Sequence, residues 1–382
     1  MAAAELRDQF LLRPGIVFLN HGSFGACPRP VFEEYQRWQL ELERQPVEFL
    51  HYRFADLVGE ARRRLAAFVG AEPRDLVYVT NATTGLNVVA RSLTLRPGDE
   101  VLGTDHEYGA LNKTWTFLCE RHGARYVQAS ICAPVESAEQ VVDAVWRRVT
   151  DRTRVLFLSH ITSPTALILP IGPLIKRARD AGILTVIDGA HAPGQIPLDL
   201  RAFEADFYAG NCHKWMCAPK GSGFLYARRD VQPLLEPLIV SWGWPGGFLE
   251  EQQRQGTRDI AAFLSVPAAI DFIGAHLTPA VRDTCHALTQ RARAALADLG
   301  GLGPLSPDSR DWYEQMVSVP IPVPASAAEA ARKRLWTEFG VEAPLTAWND
   351  MSLLRVSVHA YNDEADIDAL VRATERLLAK SR

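Results

Sequence analysis

Between residues 76 and 227 the sequence alternates short β-branched or aromatic runs with longer stretches of helical periodicity, and no other feature constrains the fold as tightly. The runs are Leu76 to Thr80, Glu100 to Gly103, Arg125 to Ala129, Arg154 to Ser159, Ile183 to Asp188, Asp206 to Ala209 and Gly223 to Ala227. Parallel neighbours need a crossover connection, so strands spaced by helices predict an α/β layer architecture around a mostly parallel sheet. In such a sheet ligands collect at the carboxyl ends of the strands. Upstream, Val31, Phe32, Tyr35, Trp38 and Leu42 recur at helical spacing behind Pro30, which predicts an amphipathic helix. After about residue 260 the texture changes. A long helical stretch runs through Val281 to Leu299, strands are expected at Gln315 to Val319 and Leu353 to Val358, and helices at Ala325 to Phe339 and at the end of the chain. We read residues 16–258 as a large domain, 259–382 as a smaller C-terminal α+β domain and 1–15 as an N-terminal arm.

A chain of 382 residues can bury a core of this size. Its 41 basic and 45 acidic side chains leave a formal charge of -4, with no positive surplus to neutralise a phosphate backbone, so nucleic acid is not an expected partner. Weakly charged runs such as Ile260 to Ile270 are shorter than the ~20 apolar residues that cross a bilayer. Glu5, Arg7 and Asp8 interrupt the first ten residues, where an export signal needs an apolar stretch. A cytoplasmic protein without a membrane partner is the expectation. Six scattered cysteines fit free thiols better than a disulfide framework. Cys212 and Cys217 flank His213, but no second ligand pair follows at zinc-site spacing, so no metal is expected.

Several predicted strands run directly into polar groups. Val79-Thr-Asn-Ala-Thr-Thr-Gly-Leu-Asn87 is a strand, a small-residue turn and a helix start, either a plain helix cap or an anion cradle. Thr185-Val-Ile-Asp-Gly-Ala-His191 ends an apolar strand in a carboxylate, with a histidine three residues later. Asp206-Phe-Tyr-Ala-Gly-Asn-Cys-His-Lys-Trp215 ends another in a lysine set between His213 and Trp215. A lysine in that setting loses solvation, and its amine becomes a nucleophile. Pyridoxal 5'-phosphate (PLP) needs this combination: an amine to join, an acid facing the pyridinium nitrogen, a cradle for the phosphate and a flat side chain against the ring.

The segments Ser159-His-Ile-Thr-Ser-Pro-Thr165, Asp188-Gly-Ala-His-Ala-Pro-Gly194, Tyr208-Ala-Gly-Asn-Cys-His-Lys-Trp215, Ser241-Trp-Gly-Trp244 and Gly256-Thr-Arg-Asp259 resemble the class V aminotransferase superfamily of fold type I. Within it they are most similar to the isopenicillin N epimerases and related carbon-sulfur lyases. The resemblance implies a PLP enzyme with a seven-stranded, mostly parallel large-domain sheet and a smaller C-terminal domain. It implies that Lys214 forms the Schiff base, Asp188 holds the pyridine nitrogen protonated and His191 bonds the ring's phenolic oxygen. Ala82, Thr83, Asn211 and His213 match phosphate-cradle positions. Thr257 matches a residue that reaches the phosphate from a neighbouring subunit, which implies a homodimer with shared active sites. In Thr104-Asp-His-Glu-Tyr-Gly-Ala110, alignment through Ala110 and Trp115 gives the ring-stacking place to Tyr108, with His106 as second choice. Arg355 matches the clamp for the substrate α-carboxylate, and Asn20 and His21 lie in the segment that closes over the substrate.

The implied chemistry begins with removal of the Cα proton from an amino acid held as an external aldimine. Reprotonation on the other face gives an epimerase, loss of a β-substituent a lyase, and protonation of the cofactor carbon a transaminase. A second base for epimerisation could be Tyr108, His51, Tyr52 or His160. A cysteine desulfurase is less expected, since Phe339-Gly-Val-Glu-Ala-Pro-Leu345 carries no cysteine. A PLP-binding scaffold without turnover is the non-enzymatic alternative.

Overall fold

The computed structural model describes residues 6–379. Residues 1–5 of the expected arm, with part of the segment read against an export signal, and residues 380–382 of the expected C-terminal domain lie outside the described residues. All seven expected runs form strands of one sheet: β1 (Leu76–Val79), β2 (Glu100–Thr104), β3 (Arg125–Ala129), β4 (Thr153–Ser159), β5 (Leu184–Gly189), β6 (Phe207–Asn211) and β7 (Gly223–Ala227). The strand order is β1-β7-β6-β5-β4-β2-β3. The ladders from β3 through β2, β4 and β5 to β6 are parallel, and β7 runs antiparallel to both β6 and β1.

Both faces of this sheet are covered, which is why its strands read as near-continuous apolar runs. In β4, Val155 and Phe157 pack into one core and Leu156 and Leu158 into another, as alternation along a strand requires. Helix α3 (Ala82–Ser92) lies on one face, against β6 and β7. Its approach is close: a Cβ added to Gly85 would stand 3.1 Å from Cβ of Ala209.

Helices α1 (Arg29–Arg44) and α2 (Phe54–Val69) precede the sheet and pack against α4 (Val266–His276). A second, antiparallel sheet holds β8 (Met316–Ile321), β9 (Leu345–Trp348) and β10 (Met351–Ser357) in the order β9-β10-β8. Helices α5 (Pro279–Gly300) and α6 (Ala328–Phe339) pack against it, and α7 (Glu364–Ala379) packs on those two helices. The N-terminal segment joins this part rather than hanging free: Val17–Phe18 pairs in parallel with Val341–Glu342, and Asn20 bridges to Ser357. Among the described residues no single helix is long and apolar enough to cross a membrane.

Candidate active site

The carboxyl ends of β2, β4, β5 and β6 open into one cavity of about 240 Å³ whose lining includes Lys214, Asp188, Tyr108 and Ser159. Asp188 ends β5, and Lys214 follows β6, its neighbour in the sheet. Tyr108 follows β2, two strands to the other side of β5, so Lys214 and Tyr108 enter the cavity from either side of Asp188.

Lys214 is half-buried, and its Nζ lies 3.2 Å from Nε2 of His191. Loss of solvation, helped by the positive charge of Arg355 and opposed by Asp188, lowers its pKa to about 7. The amine is therefore largely uncharged just above neutral pH, as a nucleophile or base must be. Asp188 is buried, and burial raises its carboxyl above the ordinary value, against the backbone N–H of Ala190 and the charge of Lys214. Ala190 N–H donates to Oδ1 at 2.9 Å. The second oxygen is left for a positive group in the cavity.

The anion cradle is built at the start of α3. Asn81 caps the helix, its Oδ1 accepting from Thr84 N–H at 2.8 Å. The N–H of Ala82 is not free, because it donates to Oδ1 of Asn211 at 2.8 Å. That bond orients the Asn211 amide so that its NH₂ is left for the cavity, and Thr83 lines the wall beside it. Nδ1 of His213 sits 3.0 Å from the Ser222 carbonyl, to which it donates, leaving Nε2 for the site. Burial lowers His213 to about 4. A phosphate dianion beside Nε2 would draw a proton onto it.

Arg355, on β10, is 7% exposed and does not itself line the cavity, but stands behind two residues that do. It donates from NH1 to the Ser163 carbonyl at 2.8 Å and from NH2 to Oγ of Ser23 at 2.9 Å. Its Nε has no partner among the described residues. Ser163 and Ser23 both line the cavity, as does Phe24, whose ring is 68% exposed at the mouth.

Other expected residues take different places. Asn20 and His21 do not line the cavity wall. Asn20 accepts from the Ser23 hydroxyl at 2.5 Å and donates to Glu342, so it acts through Ser23. His21 is fully buried between the Tyr361 hydroxyl, 2.9 Å from Nδ1, and the Lys214 carbonyl, 3.0 Å from Nε2. His106, the second choice for stacking, is locked in the interior against Thr165 and the Ile131 carbonyl, whereas Tyr108 is on the wall. Among the candidates for a second base, His160 is buried against Tyr208 and lowered to about 3 by that burial. His51 lines a separate cavity of about 650 Å³, together with Thr257 and Trp242. Tyr52 is exposed and lines neither cavity.

His21, Cys217 and His359 bring their donor atoms within 4.8 Å of one another. Both nitrogens of His21 are engaged, and its ring stacks on His359 at 3.9 Å and 15°, so the in-plane lone pairs run side by side instead of converging on an ion. The cluster packs the back of the Lys214 loop.

Besides Ser23, Phe24 and Ser163 on the cavity wall, two buried roles escaped the sequence reading. Glu107 is buried beside Asp188 and accepts from the N–H and hydroxyl of Ser159 at 2.8 and 2.5 Å and from the Thr104 hydroxyl at 2.7 Å. Burial pushes it up to about 7, and the nearby Asp188 charge adds to the rise. The other is the Trp215 indole, which donates to Nδ1 of His191 at 3.4 Å.

A desolvated amine, a strand-end carboxylate with one free oxygen, an anion-binding helix start and an aromatic ring on the wall together fit PLP. Comparison with known proteins agrees. Residues 27–370 match the family model described as Aminotransferase class-V. The chain is 38% identical over 392 residues to isopenicillin N epimerase of Streptomyces clavuligerus, covering 98% of both chains. It is 28% identical over 352 residues to an L-cysteine desulfhydrase of Arabidopsis thaliana, covering 87% of this chain and 78% of that one. Among solved structures, the cysteine desulfurase CsdA of Escherichia coli has the same fold, with a TM-score of 0.81 at 24% identity over 100% of this chain and 99% of that one. The chain belongs to the class V aminotransferase family of PLP enzymes.

Proposed function

We propose that the protein is an amino-acid epimerase of the isopenicillin N epimerase kind, active as a homodimer. The observation that carries this reading is that Tyr108 and Lys214 line one cavity from strands on opposite sides of the Asp188 strand, an arrangement that would offer two proton-transfer groups to one Cα. Identity of 38% to the Streptomyces clavuligerus epimerase over 98% of both chains supports it.

When bound, PLP supplies an electron sink for the pair left at Cα. Lys214 takes the Cα proton as its free amine, and the Tyr108 hydroxyl gives its proton to the opposite face. Asp188 would hold the ring nitrogen of the bound group in its protonated form. Arg355 holds the substrate carboxylate, with Ser23 and Ser163 fixing its guanidinium. Thr83, Asn211 and His213 would hold the phosphate. Thr257 lies outside the Lys214 cavity, and in a dimer it would complete the cradle of the other protomer. Exposed Trp242, Trp244 and Val240 near that second cavity supply apolar surface for such an interface.

A β-eliminating lyase is the second reading, favoured by the likeness to the Arabidopsis thaliana desulfhydrase. It shares the first proton transfer and needs no second acid. The test is incubation of the loaded enzyme with single-enantiomer amino acids and cysteine conjugates in deuterated water. Deuterium at Cα with appearance of the other enantiomer supports epimerisation; pyruvate with a released thiol overturns it in favour of elimination. Tyr108→Phe should lose enantiomer conversion by at least 100-fold while retaining Cα exchange, in keeping with the ~10²–10⁴ contributed by one general acid.

A further inference from the structure

Trp215, the residue after Lys214, is 1% exposed. Its indole stands against His21 at a ring separation of 5.1 Å and aims its N–H at His191. A ring nitrogen that accepts a hydrogen bond carries no proton of its own. With Nδ1 of His191 accepting from the indole, the single proton of a neutral imidazole can only be on Nε2, the nitrogen facing Lys214.

We propose that Trp215 is a positioning residue that locks His191 as its Nε2–H tautomer, so that this imidazole always presents a donor to the Lys214 side of the cavity. The ring is neutral: burial lowers it well below the usual histidine value, and the charges of Lys214, Arg355 and His213 press the same way. An Nε2–H group donates to the lone pair of a free amine. Facing an ammonium, it sets two donors against each other. The lock thus favours the uncharged form of Lys214, alongside the loss of solvation and the charge of Arg355, and against Asp188. It also leaves His191 able to donate to an oxygen anion on a ring bound there. The second consequence rests on the reading of Lys214 as the cofactor-carrying lysine, whereas the lock involves only side chains of this chain.

The test uses full-length protein, cofactor-free and loaded, with ¹⁵N-labelled histidine, and two-bond ¹H–¹⁵N correlation to read the tautomer of His191. His191→Gln identifies the signals. The expected wild-type spectrum shows a protonated Nε2 and a bare Nδ1; an Nδ1–H tautomer would overturn the proposal without any Trp215 variant. Trp215→Phe keeps a buried ring and removes the N–H. It should populate both tautomers and raise the Lys214 amine, read from the pH dependence of its acetylation in the cofactor-free protein, by about one pH unit, the size of one hydrogen bond gained by the ammonium. A variant that stays wholly in the Nε2–H form also overturns the lock. Borohydride reduction of the loaded protein with peptide mapping asks separately whether Lys214 carries the cofactor, so failure of that reading is not confused with failure of the lock.

Discussion

Replacing Arg355 separates substrate binding from proton transfer. Its guanidinium is buried, tied through NH1 to Ser163 and through NH2 to Ser23, and its Nε has no partner among the described residues. A substrate carboxylate meeting this fork gains two charge-assisted hydrogen bonds at about 1.5–3 kcal/mol each, or about 3–6 kcal/mol together. Arg355→Ala should therefore lower kcat/KM for an amino acid by about 100- to 10,000-fold, mostly through KM. Arg355→Lys keeps a charge but loses the planar fork and should fall between. The assay is deuterium incorporation at Cα against substrate concentration, run beside an amine of the same side chain that lacks the carboxylate. That amine should exchange equally well in wild type and Arg355→Ala. An unchanged KM for the amino acid, or an equal loss with the amine, would refute the assignment and move the carboxylate site elsewhere.

The remaining predictions concern the amine, its surroundings and the chain that backs them. Because Lys214 acts as the free base with a pKa of about 7 before loading, acetylation of Lys214 in the cofactor-free protein should fall about tenfold per pH unit below 7 and level off above it; a profile rising to pH 10 would mean an ordinary exposed lysine. Glu107 is raised to about 7 in the fold, so the folded state holds its proton more tightly than the unfolded chain, and the stability this gives is present at low pH and lost as pH rises towards 7. Relative to Glu107→Gln, the wild type should lose about 3 kcal/mol between pH 4 and 7, and parallel Tm profiles would contradict the assignment. Gly25 has φ +69°, and a Cβ there would stand 2.0 Å from the His213 carbonyl oxygen. Gly25→Ala should cost about 3 kcal/mol or more in denaturant unfolding and perturb the Lys214 loop, and near-wild-type stability would show that this approach can relax cheaply.

The parts of this site that belong to strand ends were legible because local pattern determines them. An apolar run that ends in Asp188, or that passes through Asn211 to Lys214, states its own direction and exit, and the parallel pattern brings such exits together. The helix start after β1 was legible as a cap or an anion cradle for the same local reason, though not that Asn81 is the capping residue. What the sequence does not carry is the orientation of a side chain settled by distant packing. His106 and Tyr108 are two residues apart, yet only partners 59 and 25 positions away, Thr165 and Ile131, decide that His106 is interior. Glu107 becomes meaningful through Ser159, 52 residues on. Asn20 and His21 sat in the right segment, but Ser23 and Phe24 reach the cavity, because the chain turns at Gly25 against the loop of Lys214.

This division between local and distant control bears on how one fold can serve more than one outcome. Asp188, His191, Glu107 and Trp215 are buried and each bonded within the protein, so the groups that surround the first proton transfer have little freedom to vary singly. The rim differs. Phe24 and Tyr108 are 68% and 43% exposed, and they come from separate segments, the N-terminal turn and the loop after β2. A change at the rim alters which group meets the far face of Cα, or what leaves from Cβ, without breaking a buried hydrogen bond. The cost of altering the first step is that of an unsatisfied buried polar group, while altering the second costs little more than an exposed surface substitution. The physical asymmetry therefore assigns reaction outcome to the rim and proton abstraction to the floor.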